Sequence, residues 1–377
     1  MSIMFEPIRI KNMLVKNRLA RSATYEGMAD FEGRPQFRLA ELYYRLAQSE
    51  TGLIFTSACM VDRYKDLPDV PGYVYATAID EDSYIDDWKL IVEGVQSRDA
   101  KIVMQLVHPG RQDVPKLRGG PAPVPSEVPI PGMDVAMKAM TAGEIGEMVE
   151  KFAQAARRTK EAGFNGVQLH GGHGYLISNF LSPYMNVRND EYGGTTENRA
   201  RLVCEIIKRT RELVGPDFPI MIKMNCDDFV DGGLEVSAAI PQAKAIVAAG
   251  IDCIEVTGGI GFQSGHMISA IGINKPEEEA YFLEYSTALK QALEIPIILV
   301  GGLRSPEVIE RVIRDGGADL VSMCRPFIRE PDLIKRWKSG DLTKAACISC
   351  GKCSINLFKK QLKCFVEEKL REKTGSE

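Results

Sequence analysis

The sequence predicts an α/β fold, a (β/α)8 TIM barrel with a short C-terminal cysteine-rich extension, and three observations carry that expectation. Eight short runs rich in aliphatic and β-branched residues recur along the 377 residues. Each run is nearly continuous in apolar character, as a parallel strand buried on both faces must be. Amphipathic stretches separate the runs and no long linker divides them, which favours a closed barrel over a doubly wound open sheet.

In chain order the expected strands are 17–23 (NRLARSA), 52–58 (GLIFTSA), 101–107 (KIVMQLV), 166–170 (GVQLH), 220–225 (IMIKMN), 252–257 (DCIEVT), 295–300 (IPIILV) and 319–323 (DLVSM). The helix over EIGEMVEKFAQAARRTKEAG opens with Thr141 three residues before Glu144, a spacing that lets the two side chains cap the first turn reciprocally. A second helical stretch is ENRARLVCEIIKRTRELVG. Glycines close KEAG, VAAG and RDGG just ahead of strands, where a left-handed residue ends a helix. These elements place the barrel in residues 1–340 and the extension in 341–377.

Composition narrows the class. Lys plus Arg number 47 against 51 Asp plus Glu, and no basic block dominates, so no nucleic-acid partner is expected. The start, MSIMFEPIRIKN, lacks an apolar core and a cleavage site, and no run of about 18 apolar residues exists. A cytoplasmic protein with no membrane partner is expected, with its nine cysteines reduced or metal-bound.

Barrel enzymes place their chemistry beyond the C-terminal ends of the strands. Those positions hold Ala23-Thr24-Tyr25, Ala58-Cys59, His108, His170 to Tyr175, Asn225-Cys226-Asp227, Thr257-Gly258-Gly259, Gly301-Gly302 and Cys324-Arg325. Of four histidines only His266 falls away from a strand end. The connection 109–141 carries seven prolines and no periodicity, which reads as a functional lid.

Three constellations stand out. In HGGHGYLISNFLSP, His170 and His173 lie three apart with Tyr175 following; two imidazoles can hold a carbonyl or anionic oxygen and a phenol can deliver a proton. A metal pair completed by His108 is the competing reading. After the last two strands, VGGLRSPE and SMCRPF supply glycine turns and Arg325, suited to a phosphate-bearing cofactor or substrate. No GxGxxG or Walker motif is present; GGIGFQSG spaces its last glycine one residue too far. Finally, Cys347, Cys350, Cys353 and Cys364 sit within 18 residues, a set that suits an iron–sulfur cluster, a four-thiolate zinc or a vestigial, unmetallated site. The remaining cysteines divide into Cys59, Cys226 and Cys324 at the catalytic face and Cys204 and Cys253 in the core.

These residues resemble the old yellow enzyme family of FMN-dependent barrels. The likeness covers nearly the whole chain, through PIRIKNMLVKNRLARSATYEGMAD, QLVHPGR, PSEVP, MTAGEI and, most specifically, HGGHGYLISNFLSPYMNVRNDEYGGTTENRARL. The final cysteine array resembles that of the 2,4-dienoyl-CoA reductase and trimethylamine dehydrogenase branch, which carries a [4Fe-4S] cluster and continues into a nucleotide-binding domain that the 13 residues after Cys364 do not hold.

The resemblance implies FMN, with NADH or NADPH as electron donor. It places Ala23 and Thr24 at the flavin's reactive edge, Ala58 close by, and Gln105 on the pyrimidine ring. It places Lys223 near N1 and O2, where the family more often has Arg, and Gly301, Gly302, Cys324 and Arg325 on the phosphate. His170 and His173 would bind the substrate carbonyl, His170 also touching the cofactor, Tyr175 would donate the proton, and the four clustered cysteines would hold the cluster. The expected reaction is NAD(P)H-driven reduction of the activated C=C bond of a small unsaturated carbonyl or thioester. Oxidative demethylation of a small methylated amine, and a flavin and iron–sulfur electron carrier, are the alternatives. An electron-transfer protein and a second copy of the chain are the expected partners.

Overall fold

The computed structural model describes residues 2–63, 75–112, 120–129, 135–261, 268–354 and 361–374. Eight strands close a parallel barrel: β1 (Leu19–Arg21), β2 (Leu53–Met60), β3 (Lys101–Val107), β4 (Gly166–Gly171), β5 (Ile220–Asn225), β6 (Cys253–Thr257), β7 (Ile297–Val300) and β8 (Leu320–Met323). Each pairs with its neighbour in chain order, and β8 returns to β1 through Val321 beside Leu19. All eight runs expected from the sequence are strands of this barrel.

Seven outer helices follow the strands: α1 (Phe37–Gln48), α2 (Ile85–Gln96), α3 (Ala142–Glu161), α4 (Thr196–Val214), α5 (Val236–Ala248), α6 (Leu283–Ala292) and α7 (Pro306–Arg314). After β8 the eighth position is filled by two short helices, Arg325–Arg329 and Leu333–Lys338. Helix α3 starts on the expected reciprocal cap, Thr141 Oγ1 accepting from the Glu144 N–H at 3.2 Å while the Glu144 carboxylate accepts from the Thr141 N–H at 2.8 Å. Gly163, Gly250 and Gly316 take the left-handed conformation that ends their helices.

The apolar interior forms two bodies. One lies between the strands and helices and includes Trp88, Phe152, Phe180 and Trp337. The other fills the barrel's N-terminal half with Phe55, Val103, Met221, Ile298 and Leu320. Ile10, Met13 and Val15 plug it from below on an antiparallel hairpin, Ile8–Ile10 with Met13–Val15. Sequence patterning did not anticipate that hairpin, because two three-residue strands are too short to show a period. The same holds in the 109–141 connection, where Ala122–Val124 pairs with Met137–Ala139. With the lower half of the barrel filled, the C-terminal end is left for chemistry.

The extension packs across that end. Ala345 donates to the Arg304 carbonyl at 2.9 Å, Ser349 O accepts from Gly272 N–H at 2.9 Å, and Leu362 donates to Glu26 O at 2.9 Å. Among the described residues no helix is long and apolar enough to cross a membrane.

Candidate active site

A cavity of about 270 Å³ opens at the C-terminal end of the barrel. Its lining includes Ala23, Thr24, Ala58, Gln105, His170, His173, Tyr175, Lys223, Gly301, Gly302, Cys324 and Arg325, so every barrel residue that the family resemblance gave a role at the flavin or the substrate lies on it. Ser22, Thr257, Tyr281, Phe282 and Arg304 line it too. The extension supplies a further wall through Cys347, Ser349, Cys353 and Leu362.

Each side chain is placed by its strand. In β2 the pairing register with β3 shifts between Phe55 and Ala58, a local irregularity in which Gln105 N–H bonds Thr56 Oγ1 at 3.1 Å. That shift presents Ala58 to the cavity. Cys59 then faces the opposite way, into the packing layer beneath the helices, because successive strand side chains alternate. Cys226 is buried in the same layer. The expectation that both cysteines face the catalytic end is therefore corrected, and only Cys324 of that trio lines the cavity.

The histidine loop is held from three sides. His173 adopts a left-handed backbone, φ 62°, uncommon for a non-glycine residue. Its N–H donates to Asn225 Oδ1 at 3.1 Å, its carbonyl accepts from the Gln112 amide, and its Nε2 lies 2.7 Å from Thr257 Oγ1. Asn225 is itself fixed by donating to Asp228 Oδ1 and Gly259 O, both at 2.9 Å. The His170 and His173 rings stand edge to face at 5.2 Å, and the Tyr175 ring lies 4.6 Å from that of His170. Gly172 N–H points at His170 Nδ1 at 3.4 Å, which leaves Nε2 to carry the proton of the neutral ring.

Electrostatics keep these groups neutral. Burial, reinforced by Lys223, lowers His170 to about 3. Burial, then His170 and Lys223, pushes His173 well below the usual histidine range. Burial alone raises the Tyr175 phenol. At neutral pH the site therefore presents two uncharged imidazoles and one protonated phenol, a set that donates hydrogen bonds without a net charge.

The other wall is cationic. Lys223, Arg304 and Arg325 line the cavity, and among the described residues no carboxylate does. Arg325 Nη1 is buried without a hydrogen-bond partner among the described residues, an arrangement that favours an incoming anion. Gly301 and Gly302 both hold positive φ, and a Cβ on Gly302 would come within 2.5 Å of Ile273 and 3.0 Å of Tyr281. Thr24 donates to Ser22 O at 2.9 Å and lies 3.1 Å from Cys324 Sγ, tying the ends of β1 and β8 together.

His108 lies off this cavity. Its Nδ1 accepts from Gly110 N–H at 3.1 Å and its Nε2 is 3.9 Å from Asp62. Among the described residues no three His, Cys, Asp or Glu side chains gather as a metal-ion site, so the three-histidine metal reading does not hold. His266 lies outside the described residues.

Cys347, Cys350, Cys353 and Cys364 are all unpaired and half-buried, and all four line one smaller cavity. Arg325, Ile328, Cys347 and Cys353 are common to the two cavities. Sequence reasoning did not single out Glu255, Gln168, Ser22 and Ser322, the polar side chains that support this site from within the barrel.

Comparison with known proteins gives the family of this barrel. Residues 3–343 match the model of the NADH:flavin oxidoreductase / NADH oxidase family. An NADH oxidase of Thermoanaerobacter brockii is 35% identical over 349 residues, covering 92% of this chain and 52% of that protein. A cinnamate reductase of Clostridium sporogenes is 30% identical over 372 residues, covering 92% and 54%. The solved 2-naphthoyl-CoA reductase in complex with 2-naphthoyl-CoA superposes with a TM-score of 0.87 at 28% identity, covering 97% of this chain and 56% of that one. The chain belongs to the NADH:flavin oxidoreductase / NADH oxidase family, as its resemblance to the old yellow enzymes implied. It spans about half the length of these relatives.

Proposed function

We propose that this chain is the FMN-binding barrel of an ene-reductase acting on the activated C=C bond of an α,β-unsaturated carbonyl or thioester. The observation that carries the reading is the convergence of neutral His170, neutral His173 and protonated Tyr175 on one cavity. FMN fits the same cavity, since the unpartnered Arg325 Nη1, Gly301 and Gly302 form a cradle for a phosphate, while Ala23, Thr24, Ala58, Gln105 and Lys223 offer polar and small groups for a flavin ring. When bound, FMN supplies hydride transfer between NAD(P)H and the substrate. His170 and His173 then donate to the substrate oxygen, drawing electron density from the double bond, and Tyr175 delivers the proton to the α-carbon.

The lining also speaks against a methylated amine. Among the described residues no carboxylate lines the cavity to pair with a cation, and Arg325, with Lys223 and Arg304 beside it on carboxylates behind the lining, suits an oxygen that gains negative charge. The names of two relatives, cinnamate reductase and 2-naphthoyl-CoA reductase, point to carboxyl compounds conjugated to unsaturated systems. Steady-state turnover of cyclohexenone and of a cinnamoyl thioester with NADH or NADPH tests the reading. Flavin bleaching by trimethylamine without NAD(P)H, with no alkene reduction, would overturn it.

Within the same reading, residues 341–377 form an extension in which Cys347, Cys350, Cys353 and Cys364 hold a [4Fe-4S] cluster, exchanging electrons with a further protein or domain. Four thiols lining one cavity support a shared metal centre, and three of them at two-residue intervals with a more distant fourth suit a multi-iron group. Anaerobic purification should yield about four irons per chain and a broad absorption near roughly 400 nm beneath the flavin bands. About one zinc and no iron would refute the cluster while leaving the barrel chemistry intact.

A further inference from the structure

Behind the cavity lining stands a carboxylate that the chemistry above does not use. Glu255, on β6, is fully buried. Its Oε1 accepts from Ser322 Oγ at 2.6 Å, Ser22 Oγ at 2.7 Å and Lys223 Nζ at 3.2 Å. Its Oε2 accepts from Gln168 Nε2 at 2.9 Å, and Gln168 Oε1 accepts in turn from Gln105 Nε2 at 2.7 Å. Burial would raise this acid, yet Lys223 and its hydrogen-bond donors hold it below the ordinary carboxylate range.

An ionised carboxylate has no proton to give, so every link must run toward it. Gln168 therefore turns its NH2 to Glu255 and its carbonyl to Gln105. Gln105 spends its NH2 on Gln168 and keeps its own carbonyl for the cavity. Lys223, which also donates to Ser22 Oγ at 2.9 Å, is held on the same hub and has its charge offset there. One buried anion thus sets the polarity of an amide two residues away in the relay and the net charge of the cation beside it.

Resting on the FMN reading, we propose that Glu255 is the positioning residue of the flavin site: it fixes Gln105 as a hydrogen-bond acceptor toward a ring N–H and offsets the charge that Lys223 presents. Glu255→Gln keeps the shape, removes the charge, and lets the amide chain run in either direction. In the FMN-loaded protein the variant should favour reduced over oxidised flavin by about tenfold more than wild type. For a two-electron couple that is a positive shift of about 30 mV. The shift should vanish on a Lys223→Met background, because it is the uncovered lysine charge that produces it.

Gln168→Met cuts the amide relay without changing any charge. It should weaken FMN binding by about tenfold, the worth of one oriented hydrogen bond, and leave the potential unmoved. This second variant carries the test if Glu255→Gln does not fold. A potential indistinguishable from wild type in Glu255→Gln, or unchanged FMN affinity in Gln168→Met, overturns the proposal. A wild-type protein that takes up no FMN would instead sink the functional reading itself.

Discussion

Tyr175→Phe should slow alkene reduction by about 10²- to 10⁴-fold, the usual worth of a positioned general acid, while reduction of the flavin by NAD(P)H stays near the wild-type rate. The structure explains why so clean a separation is expected. Tyr175 is anchored by its backbone, its N–H donating to Gly172 O at 3.2 Å and its carbonyl accepting from Asn179 N–H at 2.8 Å. Its ring packs against His170 at 4.6 Å. Phenylalanine keeps both the anchoring and the packing and lacks only the proton. Stopped-flow measurement of the two half-reactions distinguishes the cases. Equal loss in both would mean that the ring shapes the cavity and that the proton comes from elsewhere.

Arg325→Met should weaken FMN binding by about 10- to 10²-fold, because a charge-assisted hydrogen bond to phosphate contributes about 1.5–3 kcal/mol. Without its ligand this guanidinium is a liability, since Nη1 is buried with no partner among the described residues. The variant should therefore be at least as stable as wild type in the apo form, while losing the thermal protection that FMN confers. Fluorescence titration of apoprotein with FMN, alongside thermal unfolding with and without it, reads both effects. Affinity within threefold of wild type would remove Arg325 from the phosphate site.

The barrel was legible because its strands are buried on both faces and its helices on one. Such strands read as unbroken apolar runs, IMIKMN and IPIILV among them, and the glycines of KEAG, VAAG and RDGG punctuate the joins. The lining of the candidate site was legible for a related reason: a closed barrel exposes the residues just past its strand ends, so the place of His170, His173, Tyr175, Gly301, Gly302 and Arg325 on one cavity could be read from position alone. The unbroken apolar character that reveals the strands also hides which way each residue faces. Cys59 and Cys226 were placed at the catalytic face for that reason, and they pack beneath the helices instead.

The same ambiguity concealed Glu255. In DCIEVT it is one acid in an apolar run, and nothing local tells whether it points to the helices or to the barrel axis. Only closure of the sheet brings Ser22 of the β1 end, Gln168 of β4, Lys223 of β5 and Ser322 of β8 to its two oxygens. The cysteine array at the end of the chain shows the division once more. Four thiols within 18 residues raised the expectation of a ligand set from the sequence alone. That Cys347 and Cys353 also line the cavity of His170 and Tyr175 is a fact of tertiary packing, because residues more than 170 positions apart meet only when the eighth strand closes on the first and the extension folds back over the barrel mouth. Local chemistry and periodicity determined the strands, the caps and the reactive side chains of this protein. Which side chains share a wall, an orientation and a charge was decided by the closed sheet, since barrel closure sets contacts that no neighbouring residue encodes.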